Sequence, residues 1–166
     1  DLVRSRGLGD VYKRQGLITA AAATLSGYEC GLLLFADTLA PTAIVVAEGL
    51  ERDESATGQQ LGALLRELLF PEATVLLFYD SVKSTSPPVL HVGSWLMDGL
   101  YAGLCELRPT VIGAGTLTDM KWTDGFIFDG QQVRKHAAVA VVLPPALMSH
   151  VTISHGCFPA SDFLVI

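Results

Sequence analysis

Apolar positions along this chain follow two periods. From Glu54 to Leu69 the period is helical: Leu61, Leu64, Leu65, Leu68 and Leu69 share one face, Asp53 stands where an N-cap belongs, and Pro71 bars continuation. Leu90–Leu107 repeats that period with Trp95, Leu96, Leu100, Leu104 and Leu107 inward. It does so despite Gly93, Gly99 and Gly103. Each glycine costs a helix roughly 1 kcal/mol against alanine, so their presence implies close packing on a sheet. Short continuous apolar runs predict strands at Ala73–Phe78, Thr110–Ala114, Gly125–Phe128, Ala137–Leu143, His150–Cys157 and Phe163–Ile166. Gly31–Ala36 and Thr42–Ala47, separated by a turn containing Pro41, predict a hairpin. The stretch after Phe78 reads as a loop ending at Pro87 and Pro88. Strand, helix and strand over residues 73–114 predict one parallel crossover, and the tail predicts an antiparallel meander. The class is α+β, with mixed β-sheets and helices packed on them.

An internal echo accompanies this pattern. Ala138–Leu143 with Pro144 and Pro145, then Ser149–Gly156, mirrors Leu32–Ala36 with Pro41, then Thr42–Gly49. Gly113–Thr116 similarly mirrors Gly16–Thr19. A duplicated unit of glycine turn, hairpin and terminal glycine is one reading; the ordinary likeness of any two apolar hairpins is the other.

Composition narrows the class further. The 166 residues are 50% hydrophobic and 17% charged, with a mean hydropathy of +0.43, which excludes intrinsic disorder. No run approaches the roughly 18 apolar residues of a membrane span. A net charge of −6 argues against a nucleic-acid partner, because phosphate binding needs clustered Lys and Arg. Cys30, Cys105 and Cys157 are scattered and form no CxxC pair, so a reducing, cytoplasmic setting is expected.

The two ends read differently from the middle. Asp10–Gln15 corresponds codon by codon to GAT GTG TAT AAG AGA CAG, a string resembling the transposase adapter of sequencing libraries. Residues 1–15 are therefore expected to be foreign, carried in from an assembled metagenomic read, with residues 16–166 as the domain. The segment holds four of the eleven Lys and Arg residues and two of the seventeen acids. The remainder thus carries seven basic and fifteen acidic groups, net −8. No apolar h-region within it suggests a signal peptide. At the other end, Asp162–Ile166 stops inside an expected strand, so a fragment truncated at both ends is expected.

Candidate chemistry is sparse. Val111–Asp119 places Gly113 and Gly115 directly after a strand, but Thr118 stands where the third glycine of a dinucleotide fingerprint belongs, and no helix follows. As a small-residue turn it lets backbone approach a ligand, with Thr116, Thr118 and Asp119 as polar groups; an ordinary tight loop explains it equally well. His155 and Cys157 share a strand face while His150 points away, too few ligands for a closed zinc site. His91 and His136 have no local partner and are expected to be solvated or capping. Glu51, Asp53 and Glu54 read as a solvated helix start, and Cys105 as a buried, inert helix residue. Asp119, Asp124 and Asp129 fit loops. No serine carries a nucleophile elbow, and Ser94 falls within a helix. Neither a catalytic set nor a cofactor motif emerges; a hydrolase of unfamiliar type ranks last.

The glycine-rich stretch Val111–Asp119 resembles the characteristic element of the FIST N-terminal domain family. Phe126–Gly130 with Ala137–Leu143, and His155–Pro159 with Phe163–Ile166, resemble its later elements. The resemblance spans roughly residues 16–166, with Ala114 replacing the second glycine of a pair. It implies an intracellular sensory domain of a signal-transduction protein that binds a small ligand such as an amino acid and is not an enzyme. It also implies a C-terminal companion domain and an output module beyond this chain. The ligand site would comprise Gly113, Gly115, Thr116, Asp119 and His155. A protein-interaction or structural module, as in ubiquitin-ligase adaptors that resemble this family, is the alternative.

Overall fold

The computed structural model describes residues 17–18, 23–24, 34–117, 125–147 and 150–152. A two-residue ladder pairs β1 (Leu17–Ile18) with β2 (Ala23–Thr24). The main sheet contains β3 (Ala43–Glu48), β4 (Thr74–Asp80), β7 (Thr110–Thr116) and β10 (Ala137–Val142) in the order β3–β10–β4–β7. Strands β4 and β7 run parallel, as the crossover reading requires, and β10 is antiparallel to both β3 and β4. The central position suits β10, whose Ala and Val side chains are small enough to be covered on both faces. Five of its six residues are buried. Helix α1 (Glu54–Arg66) follows β3, and α2 (Gly93–Leu104) forms the crossover from β4 to β7. The architecture is α+β.

One sheet face builds the core. Register aligns Val45, Ala140 and Leu77 across β3, β10 and β4, with Ala47, Ala138 and Tyr79 in the next row. Against these rows pack Leu61 and Leu65 of α1 and Leu96, Leu100 and Leu104 of α2, all at most 1% exposed. Removing such a leucine from water contributes on the order of 2 kcal/mol.

The two helices meet through glycine. A Cβ built on Gly58 would stand 2.1 Å from the Leu96 carbonyl oxygen, and one on Gly62 2.2 Å from that of Leu100. Reciprocally, a Cβ on Gly99 would stand 2.0 Å from Ser55 O, and one on Gly103 2.2 Å from Gln59 O. Backbone therefore touches backbone along the seam. The glycines of α2 do permit close packing, but Gly99 and Gly103 pack on a helix rather than on a sheet.

That seam corrects the expected helix faces. Buried positions on α1 are 54, 57, 58, 61, 62 and 65, so the inward stripe is rotated from the leucine pattern. Leu64 and Leu68 are 45% and 47% exposed. Glycine at positions 58 and 62 claims the inward line because only hydrogen fits there. Trp95 is likewise 55% exposed rather than inward, and Leu107 lies beyond the end of α2. The N-cap reading holds: Asp53 Oδ1 accepts the Ala56 N–H at 2.9 Å. The helix stops at Arg66, three residues before the expected end, in a tightened turn where Leu68 N–H donates to Leu65 O.

Other corrections concern hairpins. Residues 34–36 form no strand, Asp37–Leu39 is a 3₁₀ turn, and β3 pairs with β10, so the expected hairpin of residues 31–47 does not form among the described residues. The segment before Pro87 is not a loop. It is a hairpin of β5 (Val82–Thr85) with β6 (Pro88–Leu90). A small ladder of β8 (Ile127–Phe128) and β9 (Val133–Arg134) precedes β10. Residues 1–15, residues 149 and 153–156 of the internal echo, and the strands expected at 153–157 and 163–166 lie outside the described residues. Residues 150–152 carry no regular element. Among the described residues no helix is long and apolar enough to cross a membrane.

Candidate functional site

Parallel strands deliver their carboxyl ends to one rim of a sheet, and ligands of open α/β sheets settle there. In this chain that rim gathers the ends of β4 and β7, the first residues of both helices, and the turn into β10. Two features occupy it.

The first is a groove of about 330 Å³ beside β7, floored by Leu77, Tyr79, Gly113 and Gly115 and walled by Gly93 and Met97. Gly113, Gly115 and Thr116 belong to β7, not to a loop after it, which corrects the turn reading. Their role follows from the ladder. Thr110 N–H donates to Ala73 O at 3.0 Å, and Ser81 N–H donates to Thr116 O at 3.1 Å. Alternation then directs the backbone groups of Val111, Gly113 and Gly115 away from β4. Among the described residues no strand pairs with that outer edge. The hydroxyl of Thr116 is held inward, 3.2 Å from Tyr79 O and 3.3 Å from Phe126 O. Asp119 and His155 lie outside the described residues, as does any approach of residues 154–157 to this strand.

The second feature is a buried polar chain that the sequence reading missed. Glu54, expected in solvent, is 3% exposed. Its Oε1 receives Lys83 Nζ at 2.9 Å and lies 3.0 Å from His91 Nδ1. The other ring nitrogen of His91, Nε2, is 3.2 Å from His136 Nδ1, and the two rings meet edge to face. His91 is 6% exposed, neither solvated nor capping. His136 is held by its backbone. Its N–H donates to Asp80 Oδ2 at 2.8 Å, and its carbonyl accepts from Gly49 and Leu50 N–H. These bonds fix it at φ 50, a left-handed conformation uncommon outside glycine. Asp80 is 1% exposed, and its Oδ1 accepts the Val82 N–H at 2.9 Å.

Burial works against ionisation of Glu54, but the hydrogen bonds from His91 and Lys83 outweigh it and hold the carboxyl at about 2. No local signal exposes this cluster, because the partners of His91 lie 37 and 45 residues away in sequence. The one available hint was the helical spacing of Glu54 to the inward positions 58, 61 and 65.

Elsewhere, Asp129 sits in a turn as expected. Its Oδ1 accepts from Gln132 N–H at 2.7 Å and Gln131 N–H at 2.8 Å, and Arg134 bridges it to Glu48. The Gln132 amide, Arg134 and the Gln131 amide together lower Asp129 to about 2. Cys105 is exposed at the end of α2, with Arg66 donating to its sulfur at 3.2 Å, so it is not the buried residue expected. Ser94 lies in α2, as expected. Among the described residues, no group of three or more His, Cys, Asp or Glu is placed to hold a metal ion. His155 and Cys157 lie outside them.

No curated protein and no solved structure matches the chain. The family model of the FIST N domain matches residues 9–166, taking in the glycine strand, the helix pair and the polar rim. The chain belongs to the FIST N domain family, a family of sensory domains in signalling proteins.

Proposed function

We propose that this chain is the ligand-receiving domain of a cytoplasmic signalling protein, and that it takes a small polar molecule, an amino acid in the first instance, against the outer edge of β7, with which no described strand pairs. The observation that carries this reading is the groove in which Gly113 and Gly115 turn outward-facing N–H and C=O groups beside an apolar floor. Such an edge offers donors and acceptors together, as a zwitterion requires, and the glycines keep side chains out of the way. Asp119 and His155 complete the proposed site from beyond the described residues, Asp119 for an ammonium group and His155 for a carboxylate. A companion domain and an output module beyond this chain would convert occupancy into a signal, without chemistry in this domain.

A second reading draws on the same edge. Along the seven residues of β7, from Thr110 to Thr116, no strand among the described residues pairs with the outer edge, which could accept a strand from a protein partner. Calorimetry with a panel of amino acids separates the two. The ligand reading expects saturable heat from at least one amino acid. It also expects about tenfold or more weakening by Met97→Trp, which fills the groove, and by Asp119→Ala, with helix content unchanged. No saturable heat from any amino acid overturns it. Binding of extended peptides alone establishes the second reading.

A further inference from the structure

The buried chain Glu54–His91–His136 ends in solvent, and its bonding leaves only one choice for its outermost atom. Glu54 is ionised and accepts from His91, so His91 Nδ1 carries a proton. When the histidine pair is neutral, His91 Nε2 is bare and takes the Nδ1–H of His136, leaving His136 Nε2 bare as well. When the pair carries one further proton, two arrangements keep the ring-to-ring bond. Either His136 is doubly protonated, or His91 is and donates to His136 Nδ1. In both, His136 Nε2 bears a hydrogen. One proton anywhere on the pair therefore converts the outer atom from an acceptor to a donor.

That atom has no hydrogen-bond partner among the described residues, and the His136 side chain is 31% exposed. His136 forms one wall of a depression of about 330 Å³ bounded also by Gly49, Glu51, Arg52 and Lys135. The depression shares no lining residue with the groove beside β7. Its rim carries Arg52 and Lys135. Of its two carboxylates, Glu48 is bridged by Arg134 and Glu51 lies 3.3 Å from Arg52. Charges facing the histidine pair come from several elements. Glu54 of α1 and Lys83 of β5 offset one another at 2.9 Å, and Asp80 of β4 lies 3.9 Å from His136 Nδ1.

We propose that this depression binds a singly charged small carboxylate, accepted by His136 Nε2–H and the rim cations, with uptake of one proton by the His91–His136 pair. The class follows from the surroundings. A carboxylate oxygen is a hydrogen-bond acceptor, so only the protonated pair receives it, and Glu48 and Glu51 at the rim disfavour a doubly charged anion such as sulfate. The site reports proton and carboxylate together, separately from any ligand at β7.

The test titrates acetate into the whole chain at constant ionic strength, following the ring nitrogens of His91 and His136 by NMR, at pH 6 and pH 8. The expected result is a saturable shift at His136 with affinity at least about tenfold weaker at pH 8, the direction required when the complex holds one more proton than the free protein. His136→Gln should abolish the saturable response. If that variant does not fold, Arg52→Ala, a change at an exposed side chain, should weaken acetate several-fold and keep the pH dependence. An absent saturable shift overturns the site. Affinity that is equal at both pH values overturns the proton coupling, and tighter binding of sulfate than of acetate overturns the ligand class.

Discussion

Residues 54, 58 and 62 lie on one stripe of α1, yet the two ends of that stripe solve opposite problems. At Gly58 and Gly62 the facing helix comes so near that no side chain fits between the backbones. One turn earlier, at Glu54, the gap is filled by a carboxylate, an ammonium and two imidazoles. The glycine seam draws α2 onto α1. His91, two residues before α2 begins, is carried into reach of Glu54 by the same approach. Rigidity at the seam and chemistry at the rim thus share one stripe of α1. The seam depends on shape alone and is indifferent to pH, whereas the rim depends on protonation.

The sharpest way to break that comparison is to spoil the seam. Gly62→Val would set a Cβ 2.2 Å from Leu100 O, and backbone on both sides cannot yield as a flexible side chain would. Overpacking of this kind costs about 3 kcal/mol, more than the roughly 0.5 kcal/mol that leaving glycine behind returns in helix propensity. Urea unfolding should show that loss at every pH between 5 and 8. A loss that varies with pH would mean the seam and the rim are not separable.

Next in size is the rim itself. Glu54→Gln keeps the shape but removes the charge that receives Lys83 and His91, and should cost about 2 kcal/mol near neutral pH. The pH dependence has a fixed sign. Glu54 lies at about 2 in the folded chain against an ordinary 4.5, so the unfolded chain takes up the proton first. Its stabilisation is complete above about pH 4.5 and is lost as pH falls towards 2. Asp129, also lowered to about 2, behaves alike and remains in the variant. The difference between wild-type and Glu54→Gln unfolding curves should therefore shrink steadily from pH 5 to pH 2.5. A constant difference would place the ionisation of Glu54 outside the cluster's stability.

What the sequence disclosed and what it hid divide along the same line. Strands β4 and β10, the parallel crossover and the Asp53 cap were legible because each is written in neighbouring residues: continuous apolar runs, a helix between two strands, and an acid before a helical period. The leucine face of α1 was misread because leucine was weighed as the inward residue. Glycine held the decisive positions, and Leu64 and Leu68 were left outside. The pairing of β3 with β10 joins residues nearly a hundred apart, and nothing in Thr42–Ala47 says that its partner is not the run just before it. The strand expected at Thr110–Ala114, with Gly113, was found, and it runs on through Gly115 and Thr116, which were expected to form a turn. The buried polar chain was invisible, since Glu54, His91 and His136 become a group only after both helices and β10 are in place.

The smallest predicted effect separates two explanations for where Glu54 sits. Asp53 caps α1 through the Ala56 N–H and stands directly before Glu54, so the cap could itself hold the carboxylate against His91. The seam offers a different cause: with Gly58 and Gly62 locked on α2, the position of Glu54 follows from helical geometry one turn earlier. Asp53→Ala removes the acceptor of the Ala56 N–H at an exposed helix end and should cost about 1 kcal/mol. If the seam places Glu54, the His91 ring resonances should stay at their wild-type positions, because the contact with Glu54 survives the lost cap. Displacement of those resonances towards the values found in Glu54→Gln would show instead that the cap positions the carboxylate. The glycine seam would then account for packing alone.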